Sequence, residues 1–416
     1  MFGKENFINK KILIYGLGLT GKSCFKYLSN RNDIILFDDN DSLKNKRNKN
    51  YFLNKKKILN LKFDHIVLSP GINIRKCKLK NYLNKYKTKI ITELDIFNII
   101  YPNNIKIAIT GTNGKSTTCQ LLYEILLKHK LDVRLVGNIG KPILSVKNVS
   151  NKTFFVVEAS SYQLEYSKIF KSKYAAILNL SPDHIERHKS LKNYIKAKFK
   201  LLKSQPKGSY AFLKKDDLLI KNFVKSKKFS GKIFKVDTNK KISLLKKINN
   251  NYFFTENNKE NLSFILEISK KLKLKKNLII STIKNFKGLK YRQQIIFKSS
   301  NLTIINDSKS TSFSSSIGLL KLNSNIYWLI GGISKKGDKF NLPKKYNKNI
   351  KAFIFGKDKN FFIQKLKNKI EYEKFANLES AIKKIFFIIK RKKLKDNTIL
   401  FSPSAASFDN FKNFED

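Results

Sequence analysis

The sequence predicts an α/β protein of three domains with parallel sheets. Two Gly-rich turns each follow a short apolar strand and precede a helical pattern, which is typical of nucleotide-binding α/β units. Apolar runs of strand length alternate with helical patterns along the rest of the chain, and they predict strands at residues 209–213, 302–306, 326–330, 352–355 and 398–401 among others. At 416 residues the chain is too long for one hydrophobic core. We place an N-terminal Rossmann-like domain at residues 1–94, a central phosphate-loop domain at residues 95–288 and a C-terminal Rossmann-like domain at residues 289–416.

The N-terminal segment carries the pattern GxGxxG. An apolar strand at residues 11–15 leads into this turn, residues 16–21, and a second strand ends near Asp38, about twenty residues further on. The run HIVLSPG, residues 65–71, predicts a third strand that ends at a glycine turn beside the same crevice. This context predicts a nucleotide site. By itself it leaves open a dinucleotide cofactor and hence an oxidoreductase.

The segment Thr110–Thr117, TGTNGKST, predicts a phosphate-binding loop. The strand before it, residues 105–109, and the helical pattern after it direct backbone N–H groups and a helix dipole at one point. In that geometry Lys115 reaches the β- and γ-phosphates of a nucleoside triphosphate, and the Ser116 hydroxyl holds Mg²⁺. Ile109 stands where the usual pattern has another glycine, so the turn is a compressed variant. The alternative is a strand–turn–helix corner that merely contains Gly-Lys-Ser.

Two later strands of the central segment end in polar residues. Residues 154–157 lead to Glu158, and residues 175–180 lead to the segment that contains His184. Because parallel sheets bind ligands at the carboxyl ends of their strands, we expect Glu158 to meet the metal held by Ser116 and His184 to be a metal ligand. The alternatives are a glutamate that faces water and a structural histidine.

Two further observations concern the segment that follows. The pair His184 and His188 does not indicate a zinc protease, because Ile185 stands where HExxH requires glutamate.

Lys198 lies in a helical stretch, residues 194–202, that holds other lysines. By composition Lys198 is one solvated lysine among many.

Three strand ends of the C-terminal segment carry cations and hydroxyls. Asp307, Lys309 and Thr311 follow the first strand, GGISK (331–335) follows the second and SPSAAS (402–407) follows the third. Together they suit a small substrate that carries carboxylates. Each segment alone is also explained as an ordinary turn or cap.

The formal charge of +56 suggests nucleic acid as a partner, but its distribution does not. The lysines are spread through every segment beside Asn and Ile, residue types that A/T-rich codons also encode. We therefore expect no specific nucleic-acid partner, and any attraction to polyanions should weaken with salt.

The remaining composition favours a cytoplasmic protein with no membrane partner. Three widely spaced cysteines without a CxxC pair indicate neither a disulfide framework nor a zinc site. No apolar run reaches the roughly 18 residues of a membrane span, and the N-terminus lacks the apolar core of a signal peptide. Lys- and Asn-rich stretches at residues 44–50 and 239–251 predict solvated loops.

The motifs of this chain resemble those of the Mur ligase family over essentially its whole length. The matching stretches are GLGLTG, SPGI, TGTNGKST, GNIGKP, EASSYQLE, DHIERH, AKFK, GLKYR, INDSKSTS, GGISKKGD and SPSAASFDNFKNFED. Within the family, INDSKSTS and SPSAASFDNFKNF are similar to the members that add D-glutamate. The Asp-Asn-Pro-Arg motif of the members that add a diamino acid is absent from the sequence.

The resemblance implies an ATP-dependent amide ligase of peptidoglycan precursor synthesis. Its substrates would be UDP-N-acetylmuramoyl-L-alanine, D-glutamate and ATP, joined through an acyl phosphate, with a different amino acid as the alternative. The implied cofactors are ATP, two Mg²⁺ ions and a carbamylated lysine at Lys198. The protein would be a monomer whose N-terminal domain binds the UDP of the nucleotide-sugar, which replaces the dinucleotide interpretation of GxGxxG.

The same resemblance implies residues for each site. The UDP-sugar would be bound by Leu19, Thr20, Asp38, Gly71, Asn138 and Ser160. The residues that contact ATP would be Gly111, Thr112, Asn113, Gly114, Lys115, Ser116, Thr117, Thr118, Asn258, Arg292 and Asp307. D-glutamate would be bound by Lys309, Thr311, Lys335, Ser407 and Phe414. The metal ligands would be Ser116, Glu158, His184 and Lys198, and the catalytic residues Lys115, Glu158, His184 and Lys198.

At two motifs the chain departs from the family's pattern. The family's His-Arg-x-Glu is Tyr291-Arg-Gln-Gln294 here, and its His-Asn-x-x-Asn is Asn257-Asn-Lys-Glu-Asn261. Arg292 and Asn258 are retained.

Overall fold

A computed structural model of the chain describes residues 7–44, 48–239, 248, 250–322, 325–335, 337–392 and 396–406. These residues form three sheets whose strands alternate with helices. Within this described part, no helix combines the length and apolar character that crossing a bilayer requires. The three cysteines are buried free thiols, as the absence of a disulfide pattern predicts.

The first sheet has four strands in the order β2-β1-β3-β4, all parallel. Its strands are β1 Lys11–Tyr15, β2 Asp33–Phe37, β3 His65–Leu68 and β4 Ile90–Ile91. The helices of this segment are α1 Leu19–Leu28, α2 Lys55–Leu59, α3 Lys80–Lys85 and α4 Glu93–Ile100. Short 3₁₀ helices lie at Ser29–Arg31, Asp41–Leu43, Lys49–Tyr51 and Lys87–Lys89.

The glycines of the first turn let α1 approach the sheet closely. Gly16 has a φ of +95°, and a Cβ on Gly21 would lie 1.8 Å from the carbonyl oxygen of Gly16. A side chain at Gly21 would therefore push α1 away from β1. Gly18 has open space around it.

The second sheet has six parallel strands in the order β10-β9-β8-β5-β7-β6. Its strands are β5 Lys106–Thr110, β6 Val133–Gly137, β7 Phe154–Glu158, β8 Tyr174–Ile177, β9 Tyr210–Lys214 and β10 Lys232–Val236. The helices are α5 Lys115–Lys128, α6 Ser161–Tyr166, α7 Ile185–His188, α8 Leu191–Lys203, α9 Leu218–Lys225, α10 Glu256–Lys271 and α11 Lys276–Asn285, with 3₁₀ helices at Ile143–Ser145 and Asn251–Phe254.

The third sheet has six strands in the order β11-β12-β16-β13-β14-β15, and only the β11–β12 pair is antiparallel among these described strands. Its strands are β11 Gln294–Lys298, β12 Leu302–Asn306, β13 Ile326–Gly331, β14 Ile350–Phe355, β15 Glu371–Lys374 and β16 Asn397–Phe401. The helices are α12 Phe313–Leu320, α13 Lys359–Leu366 and α14 Leu378–Lys392, with a 3₁₀ helix at Lys344–Asn349.

The chain divides into two compact units. The first comprises residues 1–241 and 261–282 and holds the first two sheets, and the second comprises residues 242–260 and 283–416. One buried apolar cluster joins the first two sheets, since it contains Ile14 of β1 and Val157 of β7. The predicted domain boundaries at residues 94/95 and 288/289 remain a proposal.

The predicted strand at residues 175–180 ends earlier, at Ile177. The residues after it support the end of β5 and the phosphate loop: Leu178 N donates to Thr110 O at 3.0 Å, and Asn179 O accepts from Thr112 N at 2.9 Å. The predicted loop at residues 44–50 contains a 3₁₀ turn in its described part, and most of residues 239–251 lies outside the described residues.

Candidate active site

The phosphate loop connects the buried strand β5 to α5, and its backbone requires glycine. Gly111 has a φ of +154° and Gly114, the N-cap of α5, a φ of +84°. A Cβ on Gly114 would lie 2.0 Å from Asn261 Oδ1. The loop therefore presents bare backbone at the start of a 14-residue helix, where N–H groups without intrahelical partners are available to an anion.

Asn179, which the sequence interpretation did not assign to a role, holds this loop in place. Its side-chain oxygen accepts from Asn113 N at 2.8 Å, while its carbonyl accepts from Thr112 N. The Thr112 hydroxyl accepts in turn from Ser181 N at 3.0 Å and lies 3.0 Å from the hydroxyl of Tyr194. Hydrogen bonds to Asn179 and Ser181, which follow β8, thus hold the loop at Thr112 and Asn113.

Two lysines converge on the loop. Lys115 Nζ donates to Gly111 O at 3.1 Å and to Thr112 O at 2.9 Å. Lys198 Nζ, from α8, donates to the same Gly111 O at 2.7 Å. The composition-based view of Lys198 as a solvated lysine is wrong, because the residue is only 2% exposed. Burial, with the Lys115 charge as the second cause, lowers the pKa of Lys198 well below its usual range.

Glu158, at the end of β7, carries a buried carboxylate with one unused oxygen. The residue is 1% exposed, so the alternative of a strand-end glutamate facing water is wrong. Its Oε1 accepts from Asn138 Nδ2 at 2.8 Å, whereas its Oε2 has no hydrogen-bond partner among the described residues. A buried oxygen of this kind requires a donor or a cation to offset its desolvation.

The oxygen donors of Glu158 and Ser116 suit Mg²⁺ better than a metal ion whose ligands all come from protein side chains. Within the described part of the chain, no group of three or more His, Cys, Asp and Glu residues could hold a metal ion. Mg²⁺ usually takes one or two carboxylates and completes its shell with phosphate oxygens and water. The unpaired oxygen of Glu158 and the hydroxyl of Ser116, which is 9% exposed, fit that pattern.

His184 caps α7 in the left-handed conformation, with φ +53° and ψ +35°. Its Nδ1 lies 3.1 Å from the hydroxyl of Tyr162, and its Nε2 lies 3.4 Å from Asp183 Oδ2. Burial raises the pKa of Tyr162 to about 12, so this hydroxyl remains protonated at neutral pH. Tyr162 and Asp183 therefore contact the two imidazole nitrogens of His184. Tyr162 had no assigned role in the sequence interpretation.

A cavity of about 680 Å³ lies within the first unit; Glu158 and Ser116 are not among its lining residues, but several of the other groups are. All six residues predicted for the UDP-sugar line it, namely Leu19, Thr20, Asp38, Gly71, Asn138 and Ser160. Lys115, His184 and Lys198 line the same cavity. The first turn, the phosphate loop and the strand ends after β7 and β8 thus face one space.

Two of the predicted UDP-sugar residues also organise their own segments. Asp38 Oδ2 accepts from Leu17 N at 2.6 Å, which joins the end of β2 to the first turn. Ser160 forms a capping box with Gln163 at the start of α6. Leu19, by contrast, is 79% exposed, although it lines the cavity.

In the second unit, the structure links two of the predicted ATP contacts, Asn258 and Asp307, through Gln293, the residue after Arg292. Asn258 Nδ2 donates to Gln293 Oε1 at 2.9 Å, and Gln293 N donates to Asp307 Oδ1 at 3.1 Å. Ser402 Oγ donates to the other oxygen of Asp307 at 2.8 Å. Burial raises the pKa of Asp307 to about 6, and the charge of Arg292 opposes that shift.

The strand ends predicted to bind D-glutamate lie along one edge of the third sheet. β12, β16 and β13 are neighbours, so the segments that follow them begin side by side. Lys309 and Thr311 follow β12 and Lys335 follows β13. Ser407 and Phe414 lie outside the described residues.

Comparison with known proteins identifies the family. Residues 109–280 match the Mur ligase middle domain. The chain is 33% identical over 432 residues to the UDP-N-acetylmuramoylalanine–D-glutamate ligase of Rickettsia felis, covering 98% of this chain and 95% of that protein. The ligase of the same name from Rickettsia prowazekii is 35% identical over 437 residues, with 98% and 96% covered. The chain belongs to the Mur ligase family.

Solved Mur ligases share the fold. MurF from Acinetobacter baumannii superposes with a TM-score of 0.60 at 16% identity over 77% of each chain. MurC from Thermotoga maritima gives 0.57 at 16% identity over 96% of each chain. The predicted α/β fold class is thereby confirmed.

Proposed function

We propose that this Mur ligase joins D-glutamate to UDP-N-acetylmuramoyl-L-alanine in peptidoglycan precursor synthesis and converts ATP to ADP and phosphate. The observation that carries the proposal is the common cavity. The predicted nucleotide-sugar residues, the phosphate-loop lysine and His184 all line it. The names of the relatives from two Rickettsia species support the same substrates.

The proposed reaction has two steps. A carboxylate oxygen of the L-alanyl group attacks the γ-phosphorus of ATP, and ADP leaves from an acyl phosphate. The amine of D-glutamate then attacks the acyl carbon, loses a proton, and phosphate leaves as the amide forms. The first step brings two anions together, so it needs fixed positive charge at the transferring group.

Lys115 supplies that charge in the proposal. Its ammonium lies against the loop carbonyls of Gly111 and Thr112, at the position where the loop would cradle the phosphates. Mg²⁺, when bound, would add charge neutralisation at the phosphate oxygens. Ser116 and Glu158 are proposed to hold it, on the grounds of the unpaired Glu158 oxygen.

Lys198 is proposed to be carbamylated. The neutral amine attacks CO₂, the nitrogen loses a proton, and the product is a carbamate anion with two oxygens that can accept from donors or bind a cation. The lowered pKa of Lys198 supports this step, because only the unprotonated amine is a nucleophile. The carbamate and His184 are then the proposed ligands of a second Mg²⁺. The alternative role for His184, in place of metal binding, is to accept the proton of the D-glutamate amine.

Asn258, Arg292 and Asp307 are proposed to contact ATP. Lys309, Thr311, Lys335, Ser407 and Phe414 are proposed to bind the two carboxylates and the carbon chain of D-glutamate. The protein is further proposed to be a cytoplasmic monomer.

Thermal-shift measurements test the substrate class directly. UDP-N-acetylmuramoyl-L-alanine should raise the melting temperature, since a ligand that prefers the native state stabilises it. Stabilisation by NADH in its place would favour a dinucleotide-dependent oxidoreductase and overturn the proposal. Stabilisation by an oligonucleotide that persists at high salt would indicate a nucleic-acid-binding protein.

A further inference from the structure

Arg187, in the short helix α7, is buried and directs its guanidinium at one turn of the chain. It is 6% exposed. Nη2 donates to Pro70 O at 3.1 Å and to Ile72 O at 2.7 Å, and Nη1 donates to Gly71 O at 3.2 Å. Three consecutive carbonyls, far away in the sequence, thus accept from a single side chain.

The rest of the guanidinium is held by α6. Nε donates to Glu165 Oε2 at 2.9 Å, and this carboxylate is itself only 11% exposed. The guanidinium carbon lies 4.9 Å from the ring centre of Tyr162 and 5.5 Å from that of Tyr166. The planar guanidinium of arginine can donate several hydrogen bonds within its plane and stack its faces on aromatic rings, which a lysine ammonium cannot do.

The turn that Arg187 holds, Pro70–Ile72, lines the cavity and packs against the first Gly-rich turn. Ser69, next to it, donates its hydroxyl to Gly16 O at 2.6 Å. On the other side, His184 occupies the N-cap position of α7 and Ser160 caps α6. Arg187 therefore joins the nucleotide-sugar side of the cavity to the side that carries the candidate metal ligand.

We propose that Arg187 is a positioning residue that fixes the Pro70–Ile72 turn, and with it the bound nucleotide-sugar, relative to His184 and Ser160. This inference rests on the proposed function for the identity of the ligand. The role of Arg187 in holding the turn does not rest on that function, because the three carbonyl contacts are made within the chain itself.

The test uses Arg187→Met and Arg187→Lys in the full chain, with Arg75→Met as the matched control. Arg75 pairs with the same carboxylate, Glu165, at 3.4 Å, and is 39% exposed at its side chain. Its described hydrogen bonds do not include the Pro70–Ile72 carbonyls. The measurements are the Kd of UDP-N-acetylmuramoyl-L-alanine, the Kd of ADP, and amide hydrogen exchange of the peptide that contains residues 69–72.

We expect Arg187→Met to weaken nucleotide-sugar binding by roughly tenfold or more and to leave the Kd of ADP within about twofold, because charge-assisted contacts to the turn are lost while the phosphate loop is intact. Exchange at residues 69–72 should accelerate, and Arg187→Lys should fall between the wild type and Arg187→Met. Arg75→Met should resemble the wild type.

Unchanged exchange and unchanged sugar affinity in both Arg187 variants would overturn the proposal. An equal loss of affinity for the nucleotide-sugar and for ADP would also overturn it, since that pattern indicates that Arg187 supports the structure in general. If Arg187→Met fails to fold, Arg187→Lys provides the same readouts and decides by the same criteria. Failure of the wild type to bind the nucleotide-sugar would count against the proposed function, while the exchange measurement would still decide the role of Arg187 at the turn.

Discussion

The ammonium groups of Lys115 and Lys198 donate to the same backbone oxygen, the carbonyl of Gly111, at 3.1 and 2.7 Å. Two like charges at one acceptor repel each other, and one of these residues is almost fully buried. Burial, with the charge of Lys115 as the second cause, lowers the pKa of Lys198 and so favours its neutral amine. The structure therefore places Lys198, which composition alone suggests to be solvated, in a buried position beside the phosphate-loop lysine.

Replacing Lys115 should abolish ATP-dependent phosphate release. Lys115→Ala removes the cation of the loop, and losses of this kind typically cost about 10²-fold or more in rate. Phosphate release with all substrates present measures the effect. Lys128→Ala, an exposed lysine on the same helix, is the control and should retain activity. Wild-type turnover in Lys115→Ala would rule out the loop assignment.

The carbamate proposal for Lys198 predicts chemical rescue. Lys198→Ala should be inactive and should regain part of its activity when a short carboxylic acid in the buffer replaces the missing oxygens. Lys196→Ala, on the exposed face of the same helix, should need no rescue. A well-folded Lys198→Ala protein that no carboxylic acid activates would indicate a structural lysine.

The GxGxxG turn offers a matched pair of glycine substitutions. Gly21→Ala places a Cβ 1.8 Å from the Gly16 carbonyl oxygen, whereas Gly18→Ala meets nothing within 4 Å. We expect Gly21→Ala to destabilise the protein by about 1–3 kcal/mol or more, the usual effect of overpacking, and Gly18→Ala to be nearly neutral. Urea unfolding of the two variants checks this, and equal stabilities would contradict the close approach of α1 to β1.

The raised pKa of the buried Glu93 carboxyl predicts that the stability of the protein depends on pH. It is 4% exposed, Leu144 N donates to its Oε1 at 3.4 Å, and burial raises its pKa to about 7. A carboxyl whose folded pKa is raised stabilises the fold below its unfolded pKa, and that stability is lost as pH rises through the folded pKa. Glu93→Gln should therefore gain stability relative to the wild type between pH 5 and pH 8, by about 2 kcal/mol.

Urea unfolding at the two pH values measures this difference. Glu379→Gln, whose side chain is 72% exposed, is the control and should show no such gain. Parallel pH profiles for Glu93→Gln and the wild type would show that Glu93 ionises normally in the folded protein.

The sequence predicted the central strands of each sheet and missed strands only at sheet edges. β4, β6, β10, β11 and β15 were not predicted, and each lies at the end of its sheet. An edge strand pairs on one side only and faces solvent in part, so it carries charges, as the run EYEK of β15 does. Such strands lack the continuous apolar run by which the buried parallel strands were predicted.

The candidate site was predictable where its contacts are local. The phosphate loop is one contiguous segment, so its glycines, Lys115 and Ser116 could be read from spacing. The burial of Lys198 could not, because the residues that exclude water from it come from distant parts of the chain. The same holds for Asn179 and Gln293, whose partners lie 66 and 35 residues away.

The central claim is most directly tested by weighing the product of the complete reaction. The protein is incubated with UDP-N-acetylmuramoyl-L-alanine, Mg-ATP and, in separate samples, D-glutamate, L-glutamate and a diamino acid. We expect a nucleotide-sugar heavier by one glutamyl residue with D-glutamate alone, formed together with equal amounts of ADP and phosphate. Well-folded protein that forms no ADP in any sample, or that adds another of these amino acids in preference to D-glutamate, would contradict the account.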